Sequence, residues 1–339
     1  METQVILRAE HMYKSFGVTK AVVDFSMELK RGRIHGLIGE NGSGKSTFSS
    51  MVAGLYKPDK GDMYINGERY APNSTEDAAK HRVALVVQEI GTIGSITVAA
   101  NIFLNKEQRF AKLHMINYAA MNREAKKILD VIGGEHIDPS AVTNSLNLED
   151  RKLVEIARAM SCEPEVLIID ETSNALTTRG RGILYQNMRA VRDRGGAVLF
   201  ITHDMNELVE MCDTVTIMRD GVFVKNLAKE EMDTGRMKEL MVGREIADNY
   251  YRSDSTPDYK DRVVFKAENI FSPELRGVSL ELHEGEILGI GGLSESGMHE
   301  LGRILFGIDP ADKGTVTATV SGDMITSPNK AIKNAIGYM

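Results

Sequence analysis

The sequence predicts an α/β fold in which a mostly parallel sheet carries a phosphate-binding loop and an antiparallel sheet stands beside it. Three observations predict it. Short apolar runs of the kind buried in parallel sheets alternate with segments of helical spacing: RIHGLI (33–38), VALVV (83–87), EVLIID (165–170) and AVLFIT (197–202) among helical patterns at 121–132, 149–160 and 179–194. Two earlier stretches, VILRAE and AVVDFSMEL, alternate or nearly alternate and read as antiparallel strands. Finally, GENGSGKS (39–46) fits G-x-x-x-x-G-K-[ST] just after one strand-like run. RDGVFV (219–224) adds the Asp-Gly signal of a hairpin.

Bulk composition narrows the function. At 339 residues the chain has room for two domains, and 42% apolar with 26% charged residues is ordinary for a soluble globular protein. A net charge of −7 argues against nucleic-acid binding through bulk charge, so no nucleic-acid partner is expected. No apolar run is long enough to span a bilayer, and METQVILRAEHMYKSF lacks the basic and apolar regions of a signal peptide. Cys162 and Cys212 are far apart and read as free thiols in a reducing compartment. The expectation is a cytoplasmic protein whose membrane role, if any, comes through a partner.

Self-comparison organises the chain. One constant offset carries Gly32 onto Gly285, Gly36 onto Gly289, Gly39 onto Gly292, Gly44 onto Gly297 and Lys60-Gly61 onto Lys313-Gly314. Upstream, RAEHMY (8–13) resembles KAENIF (266–271). The expected domains are a first copy at 1–242, a polar linker at 243–262, and the N-terminal part of a degenerate second copy at 263–339. In that copy EILGI (286–290) reads as the strand before a second loop, GGLSESGMHE (291–300). Met298 stands at the lysine position there, and His299 and Glu300 replace Ser46 and Thr47.

The chemistry of the first loop follows from its residue types. Gly39, Gly42 and Gly44, with Asn41 and Ser43 between them, let consecutive backbone N–H groups turn toward an anion, and the helix behind adds its positive end. Lys45 supplies a point charge for the outer phosphates. Ser46 offers a hydroxyl to Mg²⁺, and Thr47 completes the loop. Asp170, at the end of a buried strand, suits the same Mg²⁺, and Glu171 is placed to orient or deprotonate an attacking water. His203 ends AVLFITHD on the same expected rim and suits a γ-phosphate contact. Gln88 ends VALVVQ similarly, with an amide able to reach Mg²⁺ or the water.

In the order GENGSGKST, VVQ, LVEIARAM, VLIIDE, ITHD, the first copy resembles the ATP-binding-cassette (ABC) ATPases. The duplication, LVEIARAM and FGIDPADKG (306–314) resemble more narrowly the fused two-cassette subunits of bacterial monosaccharide importers. The resemblance implies a P-loop NTPase fold with a RecA-like core, an antiparallel β subdomain and a helical subdomain, using ATP and Mg²⁺. It implies that Phe16 stacks on adenine, that Gln88 relays nucleotide state, and that 89–104 abuts a transmembrane permease fed by an extracytoplasmic sugar-binding protein. The chain would sit on the inner face of the cell membrane. Each ATP site would be completed by a second cassette or dimer partner. Two departures stand out: LNLED (146–150) where the family carries LSGGQ, and Thr172 and Thr177 where it carries proline and aspartate. LNLED and the lysine-free loop of the second copy would be halves of one composite site, both damaged. Alternatives are a non-transport ABC ATPase and a non-catalytic nucleotide-binding regulator.

Overall fold

The alternating stretches at the N-terminus form two long strands, β1 (Val5–Phe16) and β2 (Thr19–Lys30), in the computed structural model of the chain. It describes residues 4–87, 89, 91–112, 115–243, 259–292 and 296–339. These fall in two units, Met1–Ile246 and Ala247–Met339. After β2 the first unit continues as β3 (Arg33–Ile38), α1 (Lys45–Val52), β4 (Lys60–Ile65), β5 (Glu68–Tyr70), α2 (Thr75–Lys80) and β6 (Val83–Val86). Next come α3 (Val98–Ile102), β7 (Ala111–Lys112), β8 (Met115–Ile116), α4 (Tyr118–Ile132), α5 (Leu148–Met160) and β9 (Val166–Asp170). The unit closes with α6 (Thr178–Asp193), β10 (Ala197–Ile201), α7 (Met205–Met211), β11 (Thr214–Arg219), β12 (Val222–Ala228) and α8 (Thr234–Val242).

Two sheets result. An antiparallel sheet runs β2-β1-β4-β5, and a six-stranded sheet runs β12-β11-β3-β10-β9-β6. In the second, β11, β3, β10, β9 and β6 are parallel, and β12 closes one edge antiparallel through the Asp220-Gly221 turn. Every residue of β9 and β10 is buried, which explains why their sequences read as unbroken apolar runs. Alternate residues serve opposite faces. Leu167, Ile169, Val198 and Phe200 pack with the helices, whereas Val166, Ile168, Leu199 and Ile201 pack with the antiparallel sheet. The helices start where short polar side chains cap them: Asn117 for α4, Asn147 for α5 and Thr177 for α6 each accept a hydrogen bond from an N–H of the first turn.

The register sets up the site. Ile201 of β10 pairs with Leu37 of β3 on one side and with Asp170 of β9 on the other. The loops leaving β3, β9 and β10 therefore emerge on one rim, the C-terminal rim where α/β sheets bind ligands.

His35 of β3 is buried between two threonines, Nδ1 2.9 Å from Thr214 Oγ1 and Nε2 2.7 Å from Thr216 Oγ1. Burial, reinforced by Lys30, pushes its pKa down to about 4. Unfolded histidine titrates near 6.5, so between those values the unfolded chain takes up a proton that the folded one refuses. This contribution is fully present above about pH 6.5 and is lost as the pH falls toward 4, about 3 kcal/mol in all. Denaturation midpoints across that window should drop for the parent chain and drop less for His35→Asn.

In the second unit β13 (Val263–Phe271), β14 (Arg276–His283), α9 (Met298–Phe306), β15 (Lys313–Ala318), β16 (Asp323–Met324) and α10 (Pro328–Lys333) follow in order. Its sheet, β14-β13-β15-β16, repeats the order β2-β1-β4-β5. The repeat extends to single bonds. His11 N donates to Ser26 Oγ at 2.9 Å, and Asn269 N donates to Ser279 Oγ at 2.9 Å. Asp59 N donates to Tyr13 O, and Asp312 N to Phe271 O, both at 2.8 Å. His11 and Asn269 both have φ 50°. At Gly61 (φ 98°) an added Cβ would stand 2.4 Å from His11 O; at Gly314 (φ 102°) it would stand 2.4 Å from Asn269 O. Only glycine fits either place.

One expectation fails. Residues 286–292 form no strand, and Ile287 is 99% exposed. In the first unit the equivalent strand, β3, is held by β10 and β11. The same offset carries β10 and β11 to positions above 339, and among the described residues EILGI pairs with no strand. Apolar composition made it strand-like, but pairing makes a strand. Most of the segment read as a linker, 244–258, lies outside the described residues.

Candidate functional site

The loop after β3 is packed tightly from behind. A Cβ at Gly39 would meet Met218 O at 2.1 Å, and one at Gly44 would meet Ala21 O at 2.2 Å. Asn41 and Gly42 lie exposed at the loop's outer side, and Ser43, Gly44 and Lys45 are buried. Helix α1 begins at Lys45, so the N–H groups of Lys45, Ser46 and Thr47 have no intrahelical acceptor and carry the helix's positive end. Lys45 donates to the carbonyls of Gly39 (2.9 Å) and Glu40 (3.0 Å). Burial pulls its pKa down, opposed by Glu171 and Asp170. Ser43 Oγ is buried and has no hydrogen-bond partner among the described residues. A cradle of unused donors around a buried cation fits a phosphate chain.

Asp170 is buried beside this loop. Its Oδ2 accepts from Ser49 Oγ (2.9 Å) and its Oδ1 from Ser46 Oγ (3.3 Å). Burial raises its pKa, while the bonds from Ser49 and Ser46 hold it down; Glu171 adds to the rise and Lys45 opposes it. Sequence reading missed Ser49. Its signal was spacing: Ser46 and Ser49 are three apart on one helix, so both reach one carboxylate. The residue types fit Mg²⁺, a hard cation served by hydroxyl and carboxylate oxygens.

Glu171 is partly exposed and left-handed, φ 45° and ψ 27°, a conformation that costs a non-glycine residue about 1 kcal/mol or more. Its N–H is fixed to Ile201 O at 2.9 Å. His203 lies exposed two residues beyond β10 on the same rim. Thr172, standing where the family has proline, donates toward Asp170 O (3.2 Å) and Val87 O (3.4 Å). Gln88 lies outside the described residues; Val87, Glu89 and Gly91 are held by side chains of α5. Lys152, wholly buried, donates to Val87 O (3.0 Å), Glu89 O (2.9 Å) and Glu155 Oε2 (2.8 Å), and Glu155 also accepts from Gly91 N. Arg158 donates to Gly91 O at 3.0 Å. Charged residues within a helix's apolar stripe were the overlooked signal.

Phe16, at the end of β1, is 44% exposed and packs edge-on against Tyr56, ring centres 5.2 Å apart. Its open ring can stack. Lys14 Nζ lies 5.6 Å from it.

The two departures from the family pattern meet. Thr177 Oγ1 donates to Glu149 Oε1 at 2.8 Å, so the altered first turn of α5 is bonded to the altered start of α6. An aspartate at 177 would face Glu149 with like charge. Asn147 spends its side chain on Asp150 N, and Leu148 is 65% exposed. This loop offers no donor hydroxyl of its own to a phosphate. In the second unit Glu300 turns its carboxylate onto Ser272 Oγ (2.7 Å) and Glu274 N (3.2 Å), so the first turn of α9 already holds an anion.

A parallel sheet whose rim gathers a lysine loop, a buried Asp, an adjacent Glu and a His defines a nucleotide-phosphate cassette, and residues 22–174 match the family model for ABC transporters. The first unit therefore carries that family's ATP-binding cassette. Among its curated relatives, the ribose import ATP-binding protein RbsA of Chromobacterium violaceum is 34% identical over 337 residues, 99% of this chain and 66% of that protein. A putative ribose/galactose/methyl galactoside import ATP-binding protein of Rhizobium meliloti is 34% identical over 339 residues, 100% of this chain and 65% of that one. The chain thus spans just under two thirds of these relatives. Among solved structures, an ABC transporter cassette in its ADP conformation superposes with a TM-score of 0.60 at 24% identity, covering 71% of this chain and all of that one. A dimeric cassette bound to ADP and phosphate does so at 0.58 and 21%, covering 66% and 99%. Both show the fold.

Proposed function

We propose that the chain is the ATP-binding and ATP-hydrolysing part of an importer for a monosaccharide or related small solute, acting through a partner permease on the inner face of the cell membrane. The observation that carries this reading is the convergence of Lys45, Asp170, Glu171 and His203 on one rim. The names of the relatives supply the solute class.

In this reading residues 1–242 form the working cassette, 243–262 a linker and 263–339 part of a degenerate second one. Lys45 and the N–H groups of α1 bind the outer phosphates, Phe16 stacks on adenine, and Ser46, Asp170 and Gln88 hold Mg²⁺. Mg²⁺ held by those residues would neutralise charge on the phosphate oxygens. Glu171 takes a proton from the attacking water, and His203 holds the terminal phosphate. A second cassette or dimer partner completes the site.

For the permease, the first unit offers an apolar groove of about 820 Å³ lined by Ile93, Ile96, Ala100, Leu104, Ile116 and Met121. It lies in the region beyond Gln88. No helix among the described residues is long and apolar enough to cross a membrane, and this reading gives the spanning part to the partner. The sugar-binding protein acts only through that permease. The Glu149–Thr177 bond favours one secondary reading, a cassette pair in which one composite site holds nucleotide without turning it over.

Two measurements test the proposal. Titration of the full chain with ATP should show saturable, Mg²⁺-dependent binding, with slow turnover by the chain alone. Affinity capture from a membrane extract should recover a polytopic membrane protein. Absent nucleotide binding, or recovery of nucleic acid in place of the membrane protein, would overturn it.

A further inference from the structure

Glu207 lies on α7, four residues past His203, and belongs to none of the sequence motifs above. It is 6% exposed. Its Oε2 accepts from Ser173 Oγ (2.7 Å) and Thr202 Oγ1 (2.8 Å), and its Oε1 accepts from Tyr185 Oη (2.6 Å). The Arg181 guanidinium stands 4.0 Å away. Burial, and then the bond to Glu207, pushes the Tyr185 hydroxyl up, so it stays protonated and donates.

The positions of these donors matter more than their number. Ser173 is two residues past Glu171, and Thr202 immediately precedes His203. Thr202 Oγ1 also accepts from Asp204 N at 3.1 Å, so it shapes the turn that presents His203. Strand pairing between β9 and β10 ends at Asp170 and Ile201. Beyond that pair the two loops are joined by Glu171 N to Ile201 O and by the shared carboxylate. The left-handed backbone at Glu171 must be held by its surroundings, and Ser173 ties down its far side.

We propose that Glu207 is a positioning residue that fixes the loops of Glu171 and His203 to one another, and so sets the spacing between the water-activating carboxylate and the phosphate-holding imidazole. This rests on the ATP-hydrolysing reading above. Glu207 touches no reacting atom. It acts through Ser173 and Thr202, with Tyr185 anchoring the carboxylate from α6. Small misplacements of reacting groups cost large factors in rate without touching binding.

The test uses the full chain and four variants: Glu207→Gln, Ser173→Ala, Thr202→Val and Thr202→Ser. Glutamine keeps the shape but turns an amide toward hydroxyl donors. Glu207→Gln should lower kcat about 10–100-fold with KM and melting temperature nearly unchanged. Thr202→Val should give a smaller loss that Thr202→Ser restores. Unchanged kcat, or losses that track KM and melting temperature with no rescue by serine, would overturn the proposal. Amide hydrogen exchange decides the tie where turnover is too slow to measure. Glu207→Gln should speed exchange at Ser173 and Asp204 together while leaving β9 and β10 protected. Acceleration in one loop alone, or in neither, would overturn it. A parent chain that binds no nucleotide would instead sink the ATP-hydrolysing reading, a result separate from the exchange outcome.

Discussion

Lys45→Ala should lower nucleotide affinity at least about 100-fold, a loss of about 3 kcal/mol, while Met298→Ala at the matching place in the second unit leaves it unchanged. The asymmetry follows from what each side chain can do. The Lys45 ammonium is held in a buried pocket by two main-chain carbonyls, which accept two of its three hydrogens without neutralising its charge. Burial pulls its pKa down even against the attraction of Glu171 and Asp170, so an arriving polyphosphate adds counter-charge that favours the ammonium form. Alanine removes that attraction and leaves α1 intact, because it is a good helix former at the first helical position. Met298 carries no charge, and Glu300 two residues on is committed to Ser272 and Glu274. Equilibrium titration with ATP distinguishes the two variants, and equal damage from both would defeat the one-sided account.

Glu171→Gln should slow hydrolysis about 10²–10⁴-fold while ATP binding persists. Two acids sit side by side on β9 and its exit, but they face different surroundings. Asp170 is buried and bonded to Ser46 and Ser49, which fits it to an ion rather than to a proton-accepting role. Glu171 is the partly exposed member, turned by its left-handed backbone onto the rim where His203 stands. Glutamine preserves size and polarity and removes only the ability to take a proton. Single-turnover phosphate release at saturating ATP measures the difference against the parent chain. A variant retaining half the parent rate would move the base elsewhere.

Much of this was legible in the residues. The runs of β9 and β10 announced themselves because both faces are buried, and Asp220-Gly221 announced its hairpin through the positive φ both residues adopt. The phosphate loop was legible because its chemistry is local: donors, glycines and lysine are consecutive. Local reading misjudged 286–290, whose conformation depends on neighbours that pair with it. It also could not join residues brought together only by folding. Glu149 and Thr177 stood as two separate departures until their side chains met at 2.8 Å. The inward turn of Lys152 and Glu155 on α5 likewise depends on packing that no local pattern prints. Glu207 had no motif at all, since its three hydroxyl partners come from three different segments.

The matched bends of the two units bear on how the copies diverged. Asn269 has the twist of His11, and Gly314 the close approach of Gly61, while between them in sequence a thioether stands where the first unit has an ammonium group. Between two copies of a fold, a phosphate-gripping side chain can differ without unfolding anything, whereas a close approach that only glycine tolerates cannot. Within this chain the likeness of the two units is therefore written more plainly in the kinks of the main chain than in the reactive groups.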